Sequence, residues 1–230
     1  GLPRLLPGLN FIAGLNGETE RTYTMNLELL KELKSEGLWL RRINIRQVDG
    51  KGFQEIPENE FRKFKTTVRE EIDRPMLEEI FPLGTKLKDL WWESRGGRIR
   101  LPEHLSEEKY RDSSKHGEPG ITFGRQIGAY PILVGVPYAI PLESGSDIIV
   151  TGHGMRSISG IEYGLDINHA TKSQLQALPG IGDKASWKII SNRARRGNKE
   201  QGSFASVEEA FSEAGVTMPP LASEVFVTTH

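Results

Sequence analysis

"LPGIG", residues 178–182, separates two runs of helical spacing, and its reading decides the architecture of the C-terminal part of the chain. Upstream, "NHATKSQLQAL" offers an N-cap at Asn168 or Thr171. Downstream, "DKASWKIISNRARRG" is long enough for a second helix. Gly180 and Gly182 let the backbone turn tightly with no Cβ in the way, and Ile181 between them can tuck between the two helices. The free N–H groups of the loop and of the next helix's first turn then point outward, where they attract an anion. Over residues 178–199 six bases (Lys184, Lys188, Arg193, Arg195, Arg196, Lys199) face one acid, Asp183, a local charge of +5 in a chain of net charge −1.

Helix, tight turn and helix make a helix-hairpin-helix. Its expected ligand is a nucleic-acid phosphate, held by Gly180, Ile181 and Gly182 in the turn and by Lys184, Lys188, Arg193 and Arg196 around it. The competing reading is a plain αα-hairpin with a solvated basic face. The segment from "DINHA" to "SVEEAF" resembles the helix-hairpin-helix domain of bacterial DNA-uptake receptors. The shared pieces are Ile167, Asn168 and Ala170 before the first helix, Leu175 through Gly182 at the hairpin, and Phe204, Ser206 and Glu208 opening the next helix. That resemblance implies sequence-independent binding of a backbone and no catalysis.

The rest of the composition narrows the class. The chain has 230 residues, balanced charge and no cysteine, which excludes disulfides, thiol catalysis and Cys-held clusters within these residues. It has no run apolar enough to span a bilayer and no signal-peptide pattern, so a cytoplasmic protein with no membrane partner is expected. It also lacks an initial Met and runs into a strand almost at once, so it is expected to begin inside a longer protein.

At the N-terminus, "LNFIAGL" (9–15) reads as a buried strand and "NGET" as a turn. A helix follows with Tyr23, Leu27, Leu30 and Leu33 on one face and Gly37 as its C-cap. "LRRINIRQV" then alternates as a half-buried strand. A lone βαβ unit cannot cover its own sheet, so this one is expected to end a larger parallel sheet. Residues 57–81 read as helix, with Pro75 breaking it or starting a second one. From Gly84 to about 164, short Gly-punctuated strands suggest a small antiparallel barrel, with 96–119 as a long polar insertion.

"NFIAGLNGETERTY" resembles the fifth strand and following turn of radical S-adenosylmethionine enzymes, through Ile12, Gly14, Gly17, Glu18 and Thr19; Asn16 stands where those enzymes usually have proline. With "EIDRPMLEEIFPLGT", "TFGRQIGAYPILVGVP" and the terminal hairpin, the chain is similar to the C-terminal part of a group of archaeal radical S-adenosylmethionine iron–sulfur proteins. The resemblance implies Ile12 and Gly14 as contacts to S-adenosylmethionine, and a [4Fe–4S] cluster in the full-length parent; with no Cys here, neither cofactor is expected in this chain alone. Residues 84–164 are similar to the TRAM-like (OB-type) barrel of tRNA-methylthiolating radical enzymes, which implies an RNA-facing surface with Arg125, Tyr130, Arg156 and Trp91 or Trp92 as candidates.

The expected fold is therefore α/β plus a small β-barrel plus an all-α domain. Residues 1–55 would be the terminal strand–helix–strand of a radical S-adenosylmethionine barrel, 56–83 connecting helices, 84–164 the small barrel and 165–230 the helix-hairpin-helix domain. The expected function is to bind DNA or tRNA, tRNA foremost, for a parent enzyme that modifies it; this chain alone would be inactive. The alternatives are a non-catalytic DNA- or RNA-binding adaptor and a protein–protein scaffold. The five histidines show no metal-ligand spacing, and no Ser-His-Asp arrangement follows from spacing.

Overall fold

The computed structural model describes residues 7–40, 42–48, 53–54, 58–91, 116–126, 132–142, 144–198 and 202–229. The chain clusters into two compact units. The first is built on residues 1–82 together with 128–130 and 153–157, and the second on the remaining residues through 230.

In the first unit, β1 (Gly8–Ala13) and β2 (Arg42–Gln47) pair in parallel, from Gly8 opposite Arg42 to Ala13 opposite Gln47. Helix α1 (Glu20–Ser35) connects them. It ends in a Schellman motif: Gly37 sits at φ +71°, its N–H bonds the Lys34 carbonyl, and the Leu38 N–H bonds the Leu33 carbonyl. Helix α2 (Glu58–Val68), a five-residue π turn (Arg69–Asp73) and α3 (Arg74–Ile80) run on as one continuous rod. Of the two outcomes expected at Pro75, the rod takes the second, because Pro75 occupies the first turn of α3. The π turn is the physical reason the rod survives: the Arg74 N–H reaches back five residues to Arg69, which widens the coil just where Pro75 cannot donate. Leu30, Leu40, Ile43, Phe64, Val68, Ile72 and Met76 form the core, and Leu9, Phe11 and Ile45 pack on it from one face of the strand pair. Inside this core Arg69 donates to the Ile43 carbonyl at 3.0 Å and pairs with Asp73 through the same nitrogen.

In the second unit, β3 (Lys86–Trp91), β4 (Pro119–Gln126), β5 (Leu133–Tyr138), β6 (Gly145–His153) and β7 (Ser157–Glu162) close in the order β3-β4-β5-β7-β6. The β3–β4, β3–β6 and β4–β5 pairs are antiparallel, and the register shifts within β3 and at the start of β4. Val134, Val136, Tyr138, Ile148, Ile149, Ile158 and Ile161 fill the interior. Gly160 is required by space: a Cβ there would lie 2.3 Å from Ile148 Cδ1 and 3.1 Å from the Ile149 carbonyl.

The chain then enters β8 (Leu165–Asp166), which pairs in parallel with β9 (Phe226–Val227). Between them lie α4 (Lys172–Ala177), α5 (Asp183–Asn198), α6 (Val207–Ala214) and α7 (Ala222–Val225). Strands and helices of this unit meet at Gly117: its carbonyl accepts from Thr171 Oγ1 at 2.5 Å, and a Cβ on it would lie 2.8 Å from the Thr171 methyl.

Candidate nucleic-acid interface

The hairpin is positioned by caps that its own sequence supplies. Thr171 caps α4 by accepting from the Gln174 N–H, and the Gln174 side chain accepts from the Thr171 N–H at 2.8 Å. Helix α4 ends at Leu178 in extended backbone. Gly180 takes φ +98°, which an L side chain rarely adopts, and the Ile181 N–H closes the turn on the Leu178 carbonyl at 3.0 Å. Ile181 is buried at 4 % exposure, with Leu175, Leu178 and Ile189 also in the core.

Gly182 has the opposite role. Its φ is not positive, and a Cβ on it would meet nothing within 4 Å. Its carbonyl accepts from the Ser186 N–H, the first backbone bond of α5. The N–H groups of Gly182, Asp183 and Lys184 therefore precede the helical ladder, and none has an acceptor among the described residues. They crown a 16-residue helix whose dipole is positive at this end. The Asp183 carboxylate is turned to Lys172, 2.6 Å away, and to Gln176, contacts that hold it below the usual carboxylate range.

The phase of α5 sorts the cluster of cations. Ser186 and Ile189 are buried, so Lys184, Trp187, Lys188, Ser191 and Arg195 lie exposed along the outer stripe. Lys184 and Lys188 are exposed in the first turns of α5. Arg193 and Arg196 do not join them. Arg193 Nη1 donates to the carbonyls of Ile167 and Ala170 at 3.1 and 3.0 Å, and burial lowers its pKa. Arg196 Nη1 pairs with Glu209 at 2.8 Å and Glu213 at 2.6 Å, and its guanidinium stacks on Phe204. Both arginines hold the domain together, Arg193 through two backbone carbonyls and Arg196 through two carboxylates. Lys199 lies outside the described residues.

Two residues that sequence reasoning missed belong to this surface. Trp187 is 51 % exposed, and Lys172 Nζ lies 4.8 Å from its ring centroid. Of the two N-cap candidates Thr171 takes the cap, and Asn168, buried, holds the frame instead: it donates from Nδ2 to the Phe204 carbonyl and accepts from the Phe204 N–H at 2.8 Å. That clamp explains why an Asn stands before α4; it uses only the backbone of Phe204, whose ring is buried beside the Arg196 guanidinium. Asp166 at the head of the segment is held at about 2; burial opposes its charge, but bonds from Thr229, His169 and the Asn168 N–H outweigh it.

The other expected positions are dispersed. Arg125 is exposed on β4 opposite Trp91 of β3, and Arg156, which clusters with the first unit, donates to Asn44 at 3.2 Å. Tyr130 and Trp92 lie outside the described residues, as does most of the 96–119 insertion. His116, His153 and His169 each have a protein partner, namely Glu162, the Phe81 carbonyl and Asp166.

In the first unit, Ile12 is 49 % exposed on the face of β1 away from the core. Gly14 takes φ +100°, its N–H donates to Glu18 at 2.7 Å, and a Cβ would come 2.8 Å from the Val48 carbonyl. Gln54 bridges the same turn, bonding Gly17 and Glu18. The "GLNGET" stretch is thus a tied strand-to-helix turn. An iron–sulfur cluster does not fit these residues: the chain has no Cys, and among the described residues no three His, Asp or Glu converge on a metal-sized site. No described helix is long and apolar enough to cross a membrane.

Residues 161–209 match the helix-hairpin-helix motif family, whose members are in general nucleic-acid binding. The chain is 38 % identical over 190 residues to an uncharacterized protein of Archaeoglobus fulgidus, an alignment that covers 78 % of this chain and 32 % of that protein. It is 39 % identical over 171 residues to an uncharacterized protein of Methanocaldococcus jannaschii, covering 70 % of this chain and 28 % of that one. The chain thus spans about a third of the length of the curated relatives it matches.

Proposed function

We propose that this chain binds the sugar–phosphate backbone of nucleic acid, without sequence preference, through the hairpin 178–188. The observation that carries the reading is the open set of N–H groups at Gly182, Asp183 and Lys184, at the positive end of α5 and beside Lys184 and Lys188. Gly182→Glu tests it cleanly. The space around a Gly182 Cβ is empty and its φ is ordinary, so the fold accepts a side chain there. The substitution puts a carboxylate where the phosphate sits. Binding to a mixed-sequence duplex and to tRNA is expected to fall with an unchanged far-UV spectrum. Undiminished binding would leave the hairpin as a packing element and favour the scaffold reading.

Within a longer protein, the first unit is the closing strand–helix–strand of a larger parallel sheet, and the parent is a radical S-adenosylmethionine protein acting on nucleic acid, tRNA foremost. The "GLNGET" resemblance supports this, with Ile12 and Gly14 toward the cofactor. So does the one-sided cover of β1–β2. Leu9, Phe11, Ile43 and Ile45 face the core, whereas Asn10, Ile12 and Arg46 are exposed on the other face, where parallel sheets are ordinarily covered. Met25 and Leu29 likewise stand exposed one turn apart on α1. When bound, the cofactor pair would supply reductive radical chemistry from residues outside this chain. Anaerobic purification of the full-length Archaeoglobus relative is expected to yield bound iron and S-adenosylmethionine binding; a full-length protein with neither refutes the parentage and leaves a non-catalytic adaptor.

A further inference from the structure

Tryptophan is costly to leave in water, and Leu175, Leu178, Ile181 and Ile189 of the hairpin are buried while Ile190 is half-buried. Trp187 is the exception. It stands half exposed on the outer stripe of α5, between Lys184 one turn before it and Lys188 next to it, with Arg195 two turns further on. The ring is not loose. Lys172 reaches across from α4 to 4.8 Å from its centroid, and that lysine is itself fixed by Asp183 at 2.6 Å. The cation orients the ring and leaves the remaining exposed surface, about half of the residue, to a ligand. Trp187 lies five residues beyond Gly182, so about 7 Å along the helix axis from the open N–H groups. One nucleotide spans a comparable distance from phosphate to base. A backbone seated on the N–H groups thus brings a base to the ring, provided that base is not already stacked within a duplex.

We propose that Trp187 is a stacking platform for an unpaired base, and that the hairpin's ligand is single-stranded nucleic acid or a strand with bases out of the stack. The proposal rests on the hairpin holding phosphate and adds the state of the strand. Stacking on an aromatic is sequence-tolerant because every base has a π face, so it agrees with backbone binding. The charge complement is local: Lys184, Lys188 and Arg195 have no carboxylate partner among the described residues.

The test uses the whole 230-residue chain. Probes are a short fluorescein-labelled oligothymidine, the same strand annealed to oligoadenosine, and an abasic strand of equal length. Trp187→Ala is expected to weaken oligothymidine binding about 10-fold, within the range for one base–aromatic stack. It should leave duplex and abasic binding within about 2-fold of the parent. Trp187→Phe should recover most of the loss. Equal losses on all three probes, or none on oligothymidine, would overturn the platform. Gly182→Glu in parallel separates the two claims. If it abolishes binding to every probe while Trp187→Ala does nothing, the phosphate site stands and the platform falls; if Gly182→Glu changes nothing, the phosphate reading itself fails.

Discussion

Replacing Lys184 and Lys188 together with alanine asks whether the outward cations do the work that the inward ones do not. Both lysines are exposed and neither has an acidic partner among the described residues, so their removal leaves no buried group unsatisfied. If each neutralises one phosphate, the slope of log K against log salt falls by about 0.9 per contact on duplex DNA, or about 1.8 for the pair. Between about 50 and 200 mM salt the parent should then lose about 12-fold more affinity than the double variant. Arg193→Ala is the control that the structure makes possible. Its guanidinium satisfies the Ile167 and Ala170 carbonyls at 3.1 and 3.0 Å, so its loss should lower the unfolding midpoint and, well below that midpoint, leave the salt slope unchanged. Fluorescence anisotropy at four salt concentrations, with thermal melts of each variant, measures both quantities. A double-lysine variant with the parental slope, or an Arg193 variant that lowers the slope without destabilising, would refute the division of the cluster into field and frame.

Two further outcomes concern the frame itself. Asp73→Ala strands the Arg69 guanidinium in the core of the first unit, where burial, then Arg156 and Arg42, already draw its pKa down to about 10; a loss of roughly 3–5 kcal/mol in urea unfolding is expected, and Arg69→Met in the same chain should restore much of it. The His116 pKa is raised by its bond to Glu162 at 2.6 Å, against burial, so the stability it adds is complete below the ordinary histidine value of about 6.5 and is lost as pH rises through the folded value. Calorimetry across that window should show the unfolding midpoint of the second unit falling with pH in the parent and staying flatter in His116→Gln; parallel profiles would show that the pair contributes nothing.

Periodicity and turn chemistry made much of the local structure legible. The Tyr23, Leu27, Leu30, Leu33 stripe predicts the face that α1 buries, and Gly37 predicts its end. Thr171 and Ser206 announce their helices because a hydroxyl at an N-cap has a fixed partner two or three residues on. Pattern reading failed where a polar side chain takes a core position. Trp187, Ile189 and Ile190 are all apolar, so the sequence leaves the phase of α5 open; Ser186, fully buried with its hydroxyl on the Asp183 carbonyl, sets that phase and turns Trp187 outward. Arg193 and Arg196 look like their neighbours in a basic run, and only the positions of two carbonyls and two glutamates show them to be internal. The π turn at Arg69–Asp73 had a signal in Pro75, but a proline announces an interruption without giving its form.

The proposed phosphate site, made from backbone N–H groups, places an unusual demand on the rest of its domain. The donors carry no side chain that could adapt, so their direction is only as good as the turn that presents them. Here the entry to the helix that leads into the turn is held from several sides by polar contacts rather than by apolar packing alone. Asn168 and Phe204 exchange two bonds, Arg193 gathers the carbonyls ahead of α4, and Thr171 fixes α4 both to its own backbone and to Gly117. Each of these groups looks from sequence like a candidate ligand contact or a simple cap. On the proposed reading, a backbone reader needs only a modest field and a rigid set of donors, because phosphate contacts carry no sequence information. Among the described cations of this segment, Arg193 and Arg196 bind internal acceptors while Lys184, Lys188 and Arg195 are exposed, and on the proposed reading these three supply the field that attracts the ligand.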